Sequence, residues 1–173
     1  YGSVALGAYA SENSLNDYSI AIGYSAGTDG LGAYSTAIGY YAGADGSGQY
    51  TVALGHQSGR ASPGDGSVAI GYDTGYNAGQ YSVAIGYAAG WDDGSPLGQY
   101  QVAIGAYAAA GNGHDHSIVL NATGDYLDAT ESGLFIKPVR YTAAQDATDD
   151  GLMFYNQISG EVRYSYALDG GTF

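Results

Sequence analysis

The sequence predicts an all-β fold, a parallel β-solenoid with coils of about 16 residues, and three observations carry that prediction. The first is a repeat. Tyr81-Ser82-Val83-Ala84-Ile85-Gly86-Tyr87-Ala88-Ala89-Gly90 recurs as Tyr18 to Gly27, Tyr34 to Gly43, Tyr50 to Gly59 and, less faithfully, Gly66 to Gly75. The glycine closing each Ala-Ile-Gly or Ala-Leu-Gly marks the register at Gly7, Gly23, Gly39, Gly55, Gly71, Gly86 and Gly105, with Asn121 closing a degenerate copy; the spacings are 16, 16, 16, 16, 15, 19 and 16. So short and regular a period belongs to a stacked array rather than to a globular core. The second observation is a period of two inside each copy, with Val83 and Ile85 on one face and Ser82, Ala84 and Gly86 on the other, which is strand patterning. The third is that a glycine ends every motif and the apolar pair never recurs at a spacing of three or four, which excludes a helix.

Within a coil, the glycine four residues past the marker, as at Gly27, Gly43 and Gly90, is where the chain bends toward a second short segment. Each coil is therefore expected to hold two short strands and two turns. Coils stacked about 4.8 Å apart would make a rod about 35 Å long. So thin a coil cannot bury both faces, and the small residues Ser82, Ala84 and Gly86 are expected to allow close approach of another copy, making oligomerisation the solution.

Composition fits an elongated object with little interior. There are 30 glycines and 19 tyrosines against three phenylalanines and one tryptophan, and tyrosine packs its ring while keeping its hydroxyl wet. Four basic residues against 17 acidic ones give a net charge of -13, which argues against nucleic acid or an anionic membrane as partner. No cysteine is present, so no disulfide staples the chain. No apolar run reaches transmembrane length and no signal peptide is seen. The chain begins inside a repeat at Tyr1-Gly2-Ser3-Val4-Ala5-Leu6-Gly7 without an initiator Met, as expected of a processed or partial product.

The inter-repeat loops carry Asp29-Gly30, Asp45-Gly46, Asp65-Gly66 and Asp93-Gly94. Stacked acidic turns could collect Ca2+, although Asp-Gly also simply favours tight turns. The loop from Trp91 to Gly98 is three residues longer than its equivalents and holds the only Trp, making Trp91, Asp92 and Asp93 candidate receptor contacts; packing against a neighbouring chain is the plainer reading for that Trp. Tyr18, Tyr34, Tyr50, Tyr81 and Tyr100 all lie five residues before a marker, so stacked coils stack the rings into a ladder, read as structural.

The repeated Ser-Val-Ala-Ile-Gly, as at Ser82 to Gly86 and Ser67 to Gly71, resembles the head repeat of trimeric autotransporter adhesins over roughly residues 1 to 122. That resemblance implies a left-handed parallel β-roll assembled as a homotrimer. The turns between repeats are longer here than in those adhesins, and the same repeat occurs in phage and large-virus fibre proteins. In such a trimer, His114 and His116, alternate residues of Gly113-His114-Asp115-His116-Ser117, would face the three-fold axis, resembling the His-x-His metal site of certain phage fibre tips. Exposed histidines at a domain junction are the plainer alternative, and no cofactor is required by the fold.

After Asn121 the periodicity is read as ending, which divides the chain into a repeat domain at 1-123 and a C-terminal β-rich unit at 124-173. That unit is expected to hold a strand in Gly133 to Arg140, a loop over 141-151, and a small hairpin with strands Leu152 to Asn156 and Glu161 to Tyr166 around Ile158-Ser159-Gly160. The stretches 133 to 140 and 152 to 164 resemble a segment of viral fibre proteins that precedes an endosialidase-type intramolecular chaperone, a domain not present here.

No enzyme is expected: the three histidines follow no Ser/His/Asp pattern with a nucleophile elbow, and the glycines are periodic rather than gathered in a phosphate loop. The leading expectation is a trimeric virion fibre, a phage tail or receptor-binding fibre reaching a host-surface glycan or protein. The alternatives are the head of a bacterial trimeric surface adhesin and an extracellular structural filament without a receptor.

Overall fold

The computed structural model describes residues 2–91, 97–111 and 113–138, together with the strand backbones at 152–155 and 162–165. The chain forms two compact units, Tyr1–Pro138 and Val139–Phe173. In the first, nine strands form one sheet in chain order: β1 (Val4–Leu6), β2 (Ile20–Ile22), β3 (Thr36–Ile38), β4 (Val52–Leu54), β5 (Val68–Ile70), β6 (Val83–Ile85), β7 (Val102–Gly105), β8 (Ser117–Asn121) and β9 (Gly133–Lys137). Every neighbouring pair is parallel and in register, so Ala5, Ala21, Ala37, Ala53, Ala69, Ala84, Ala103, Val119 and Phe135 form one column. This is the expected all-β parallel solenoid, about eight turns of roughly 16 residues, with no helix among the described residues. In the second unit, β10 (Leu152–Tyr155) pairs antiparallel with β11 (Val162–Ser165), in register Leu152↔Ser165 to Tyr155↔Val162. The loop at 141-151 and the turn Ile158-Ser159-Gly160 lie outside the described residues.

The faces are reversed from the expectation. The alternation is real, but the small residues point into the coil: Ala21, Ala37, Ala84 and Ala103 are fully buried, as are Ser19 and Ser82. The large apolar residues point out, with Val4, Leu6, Ile38, Ile104, Ile118, Leu134 and Ile136 exposed by 39–64%. The reason is space. A coil this narrow has room for Ala and Ser inside, supplemented by Leu31 and Leu97 from the opposite leg, and larger side chains must leave by the outer face. At the C-terminal end of the unit the column changes from Ala103 to Val119 to Phe135, and Leu127 packs beside them.

Two further differences follow from the backbone. The expected second strand per coil is absent among the described residues, because residues two and four past the marker adopt positive φ, as at Ser25 (51°) and Gly27 (61°), or Ala88 (50°) and Gly90 (61°); such alternation cannot pleat. The leg still bonds coil to coil, with Ser25 N donating to Ala8 O and Gly27 N to Ala42 O, both at 2.9 Å. The sheet also continues past the expected boundary at 123/124. β9 pairs with β8 over five residues, Leu134 and Ile136 extend the outward apolar columns, and Ala122 N donates to Lys137 O at 2.8 Å.

Candidate functional site: an apolar stripe between two aromatic ladders

The outer face is built by repetition. Three and one residues before each marker stand an apolar pair: Val4 and Leu6, Ile20 and Ile22, Val52 and Leu54, Val68 and Ile70, and so on to Leu134 and Ile136, with Thr36 the single polar member. In-register pairing turns these into two unbroken columns across nine strands.

Aromatic columns stand on either side. Five residues before the marker, Tyr18 stacks on Tyr34 (centroids 5.3 Å apart, planes 14° apart) and Tyr34 on Tyr50 (5.2 Å, 7°). Gly66 interrupts, and the ladder resumes with Tyr81 on Tyr100 (5.3 Å) and Tyr100 on His116 (5.2 Å). These five tyrosines are 51–60% exposed. They sit at φ of 55–59°, and Gly66 at 67° shares that conformation. The second ladder, one residue after the marker, was missed in the sequence because it is less uniform. It runs Tyr24–Tyr40 (5.4 Å), Tyr40–His56 (5.0 Å), His56–Tyr72 (4.7 Å) and Tyr72–Tyr87 (5.3 Å), and ends in edge-on and tilted contacts with Tyr107 and Tyr126. Stacking changes the phenols. Tyr24 ionises above its ordinary range because neighbouring groups strip water from it, with the Tyr41, Tyr9 and Tyr40 phenols adding repulsion. Tyr87 is raised first by the charge that Tyr107 would carry and by its hydrogen bond with Tyr107.

The marker glycines hold coils at this spacing. A Cβ on Gly86 would sit 2.6 Å from Gly105 O and 2.8 Å from its carbonyl carbon. A second glycine column, Gly32, Gly48, Gly64, Gly79 and Gly98, makes equally close backbone approaches and carries the same spacings of 16, 16, 15 and 19. Inside, the residue four before the marker seals the coil with polar bonds: buried Gln101 Nε2 donates to Ser117 Oγ at 2.8 Å, while its Oε1 accepts from Gly98 N at 2.9 Å.

The loop carboxylates act as clamps between coils. Asp65 Oδ1 accepts from Gln49 N (2.8 Å), Asp115 Oδ1 from Gln99 N (2.7 Å) and Asp29 Oδ1 from Asn13 Nδ2 (2.6 Å), while Asp45 pairs with Arg60 at 3.4 Å. Among the described residues no three His, Cys, Asp or Glu side chains come together as a metal site within one chain. His116 takes the last place in the first ladder, and the carbonyl of His114 accepts from Ser117 Oγ at 2.8 Å. Trp91 is 38% exposed, and Asp92 and Asp93 lie outside the described residues. Among the described residues no helix is long and apolar enough to cross a membrane.

Comparison with curated proteins and with solved structures finds no match. A family model, the YadA head domain repeat, matches twice, at residues 14–42 and 47–74, a span covering β2 to β5. These coils are similar to that repeat, and the match supports repeats of trimeric autotransporter adhesin type.

Proposed function

We propose that this chain is a segment of a homotrimeric extracellular fibre, in which three copies pack their apolar stripes about a three-fold axis and the assembly carries attachment to a host surface. The observation that carries the reading is the outward stripe of aliphatic side chains running the length of the sheet. Eight coil steps of about 4.8 Å make it about 38 Å long, and its two columns cover on the order of 400 Å2, the size at which an exposed apolar patch marks an interaction site. A lone protein seldom leaves so large an apolar patch in water. Identical coils also suit closed symmetric packing, since each copy offers the same surface at the same height. The YadA head repeat match supports an adhesin-type, trimeric, surface-exposed structural protein. Within that class we favour a virion tail or receptor-binding fibre, on the resemblance of 133 to 140 and 152 to 164 to viral fibre segments; the head of a bacterial surface adhesin is the second reading, favoured by the family match itself. Three-fold assembly would present terminal contacts in threes and raise avidity.

The test is a stripe variant, Val83→Asp with Ile85→Asp, examined by light scattering and circular dichroism. Both side chains point away from the coil interior, so the roll should keep its β signature while the mass falls from trimer to monomer. A doubly charged stripe that still gives a trimer would overturn the assignment of this face as the interface.

A further inference from the structure

The chain has 19 tyrosines and no cysteine, and its tyrosines stand ring on ring in consecutive coils at 5.2–5.4 Å over Tyr18–Tyr34–Tyr50, Tyr24–Tyr40 and Tyr72–Tyr87, and at 5.3 Å between Tyr81 and Tyr100. We propose that the ladders are oxidative cross-linking sites, at which neighbouring coils are stapled by dityrosine bonds in the place a disulfide would occupy in another extracellular protein. The chemistry needs a one-electron oxidant of the peroxide-driven kind. Two phenols each give one electron and one proton, hydrogen peroxide takes both pairs and becomes two waters, and the two phenoxyl radicals join carbon to carbon beside the oxygen. The ring hydrogens at the joined carbons then shift to oxygen, restoring both aromatic rings, so each bond leaves the chain two hydrogens lighter. The geometry supplies what such coupling requires. Both rings are held in contact, about half their surface is open to oxidant, and the backbone bonds between coils keep them adjacent. This inference does not rest on association, since every contact lies within one chain.

The molecule carries its own control. The first ladder is broken by Gly66, and the second has His56 between Tyr40 and Tyr72. Trypsin cuts after Arg60, between Tyr50 and Gly66 in the first ladder and between His56 and Tyr72 in the second. Among the described residues each Tyr–Tyr ring contact therefore falls wholly within 1–60, such as Tyr34–Tyr50 and Tyr40–Tyr41, or wholly beyond residue 60, such as Tyr72–Tyr87 and Tyr81–Tyr100.

The experiment oxidises the folded full chain with peroxidase and hydrogen peroxide, isolates the band of single-chain mass, unfolds it and digests it with trypsin. Dityrosine fluorescence should appear, and the peptides 1–60 and 61–140 should each lose pairs of hydrogens yet remain unjoined. The chain oxidised in urea should give the joined peptide. Gly66→Tyr should join the two peptides in the folded state by placing a ring between Tyr50 and Tyr81 and so completing the first ladder; the Tyr81 ring must shift to admit it, since a Cβ at Gly66 meets Tyr81 Cδ1 at 2.8 Å. If that variant does not fold, His56→Tyr is the substitute, bridging Tyr40 to Tyr72. Absence of dityrosine, joined peptides from folded wild type at the level of the urea sample, or a folded ladder-completing variant that stays unjoined would each overturn the proposal.

Discussion

Replacing Gly86 with Ala perturbs the contact on which the coil spacing depends. Gly86 sits at φ 135°, and a methyl there would press against the Gly105 carbonyl of the next coil at 2.6 Å. An L-residue held in so sparsely populated a region costs about 1–3 kcal/mol. The methyl also pushes its coil away from the Gly105 coil, to which it is joined next door where Tyr107 N donates to Tyr87 O at 2.9 Å; weakening such a bond costs about 1 kcal/mol. The two effects together predict a loss of about 3 kcal/mol. The assay is urea unfolding followed by circular dichroism at one fixed chain concentration, because association would otherwise shift the midpoint. Gly124→Ala is the control, since nothing lies within 4 Å of its added Cβ and its φ is not in the left-handed range; it should change stability by less than about 1 kcal/mol. Equal midpoints for the two variants would refute the account of why a glycine recurs at the marker.

Three other outcomes follow from the same geometry. Ala69→Leu adds a branched side chain against Gly59 and Gly75, whose added Cβ atoms would already meet Ala69 Cβ at 3.6 and 2.7 Å, so denaturation should show a loss at the upper end of about 1–3 kcal/mol. Gln101→Leu leaves Gly98 N and Ser117 Oγ without their buried partner, predicting about 1–3 kcal/mol in the same assay. Tyr24 and Tyr87 ionise above the ordinary phenol range in the folded chain. Their contribution to stability is therefore complete below the unfolded phenol value of about 10 and is lost as pH rises through the folded values. Phenolate absorbance should show these two groups titrating later in the folded chain than in urea, and stability should fall on the alkaline side.

Strands β1 to β8 follow from Val-Ala-Ile-Gly and its variants, and the first tyrosine ladder from a fixed offset to the marker. The direction of the faces did not follow, because alternation shows that two faces differ without showing which is inside. Only the cross-section of the coil, filled by Ala21, Ala37 and Ala84, decides that the larger residues go out. Strand β9 was expected within Gly133 to Arg140, but its membership of the repeat sheet was hidden by its marker: Lys137 stands 16 residues after Asn121, in step with the repeat but without the glycine. The second glycine column, Gly32 to Gly98, was present in the spacing and would have been found by testing every glycine for the same period. The absent second strand left no such trace, since Tyr41, Gln57, Asp73 and Ala88 at positive φ share no residue type.

The claim at the centre of the account is that this outward apolar stripe is covered by two further copies of the chain. The most direct measurement is the mass of the purified chain by sedimentation equilibrium over a range of concentrations. A covered stripe requires a particle of three 17.6 kDa chains that persists on dilution, and a stable monomer of 17.6 kDa that keeps its β-solenoid spectrum would contradict it.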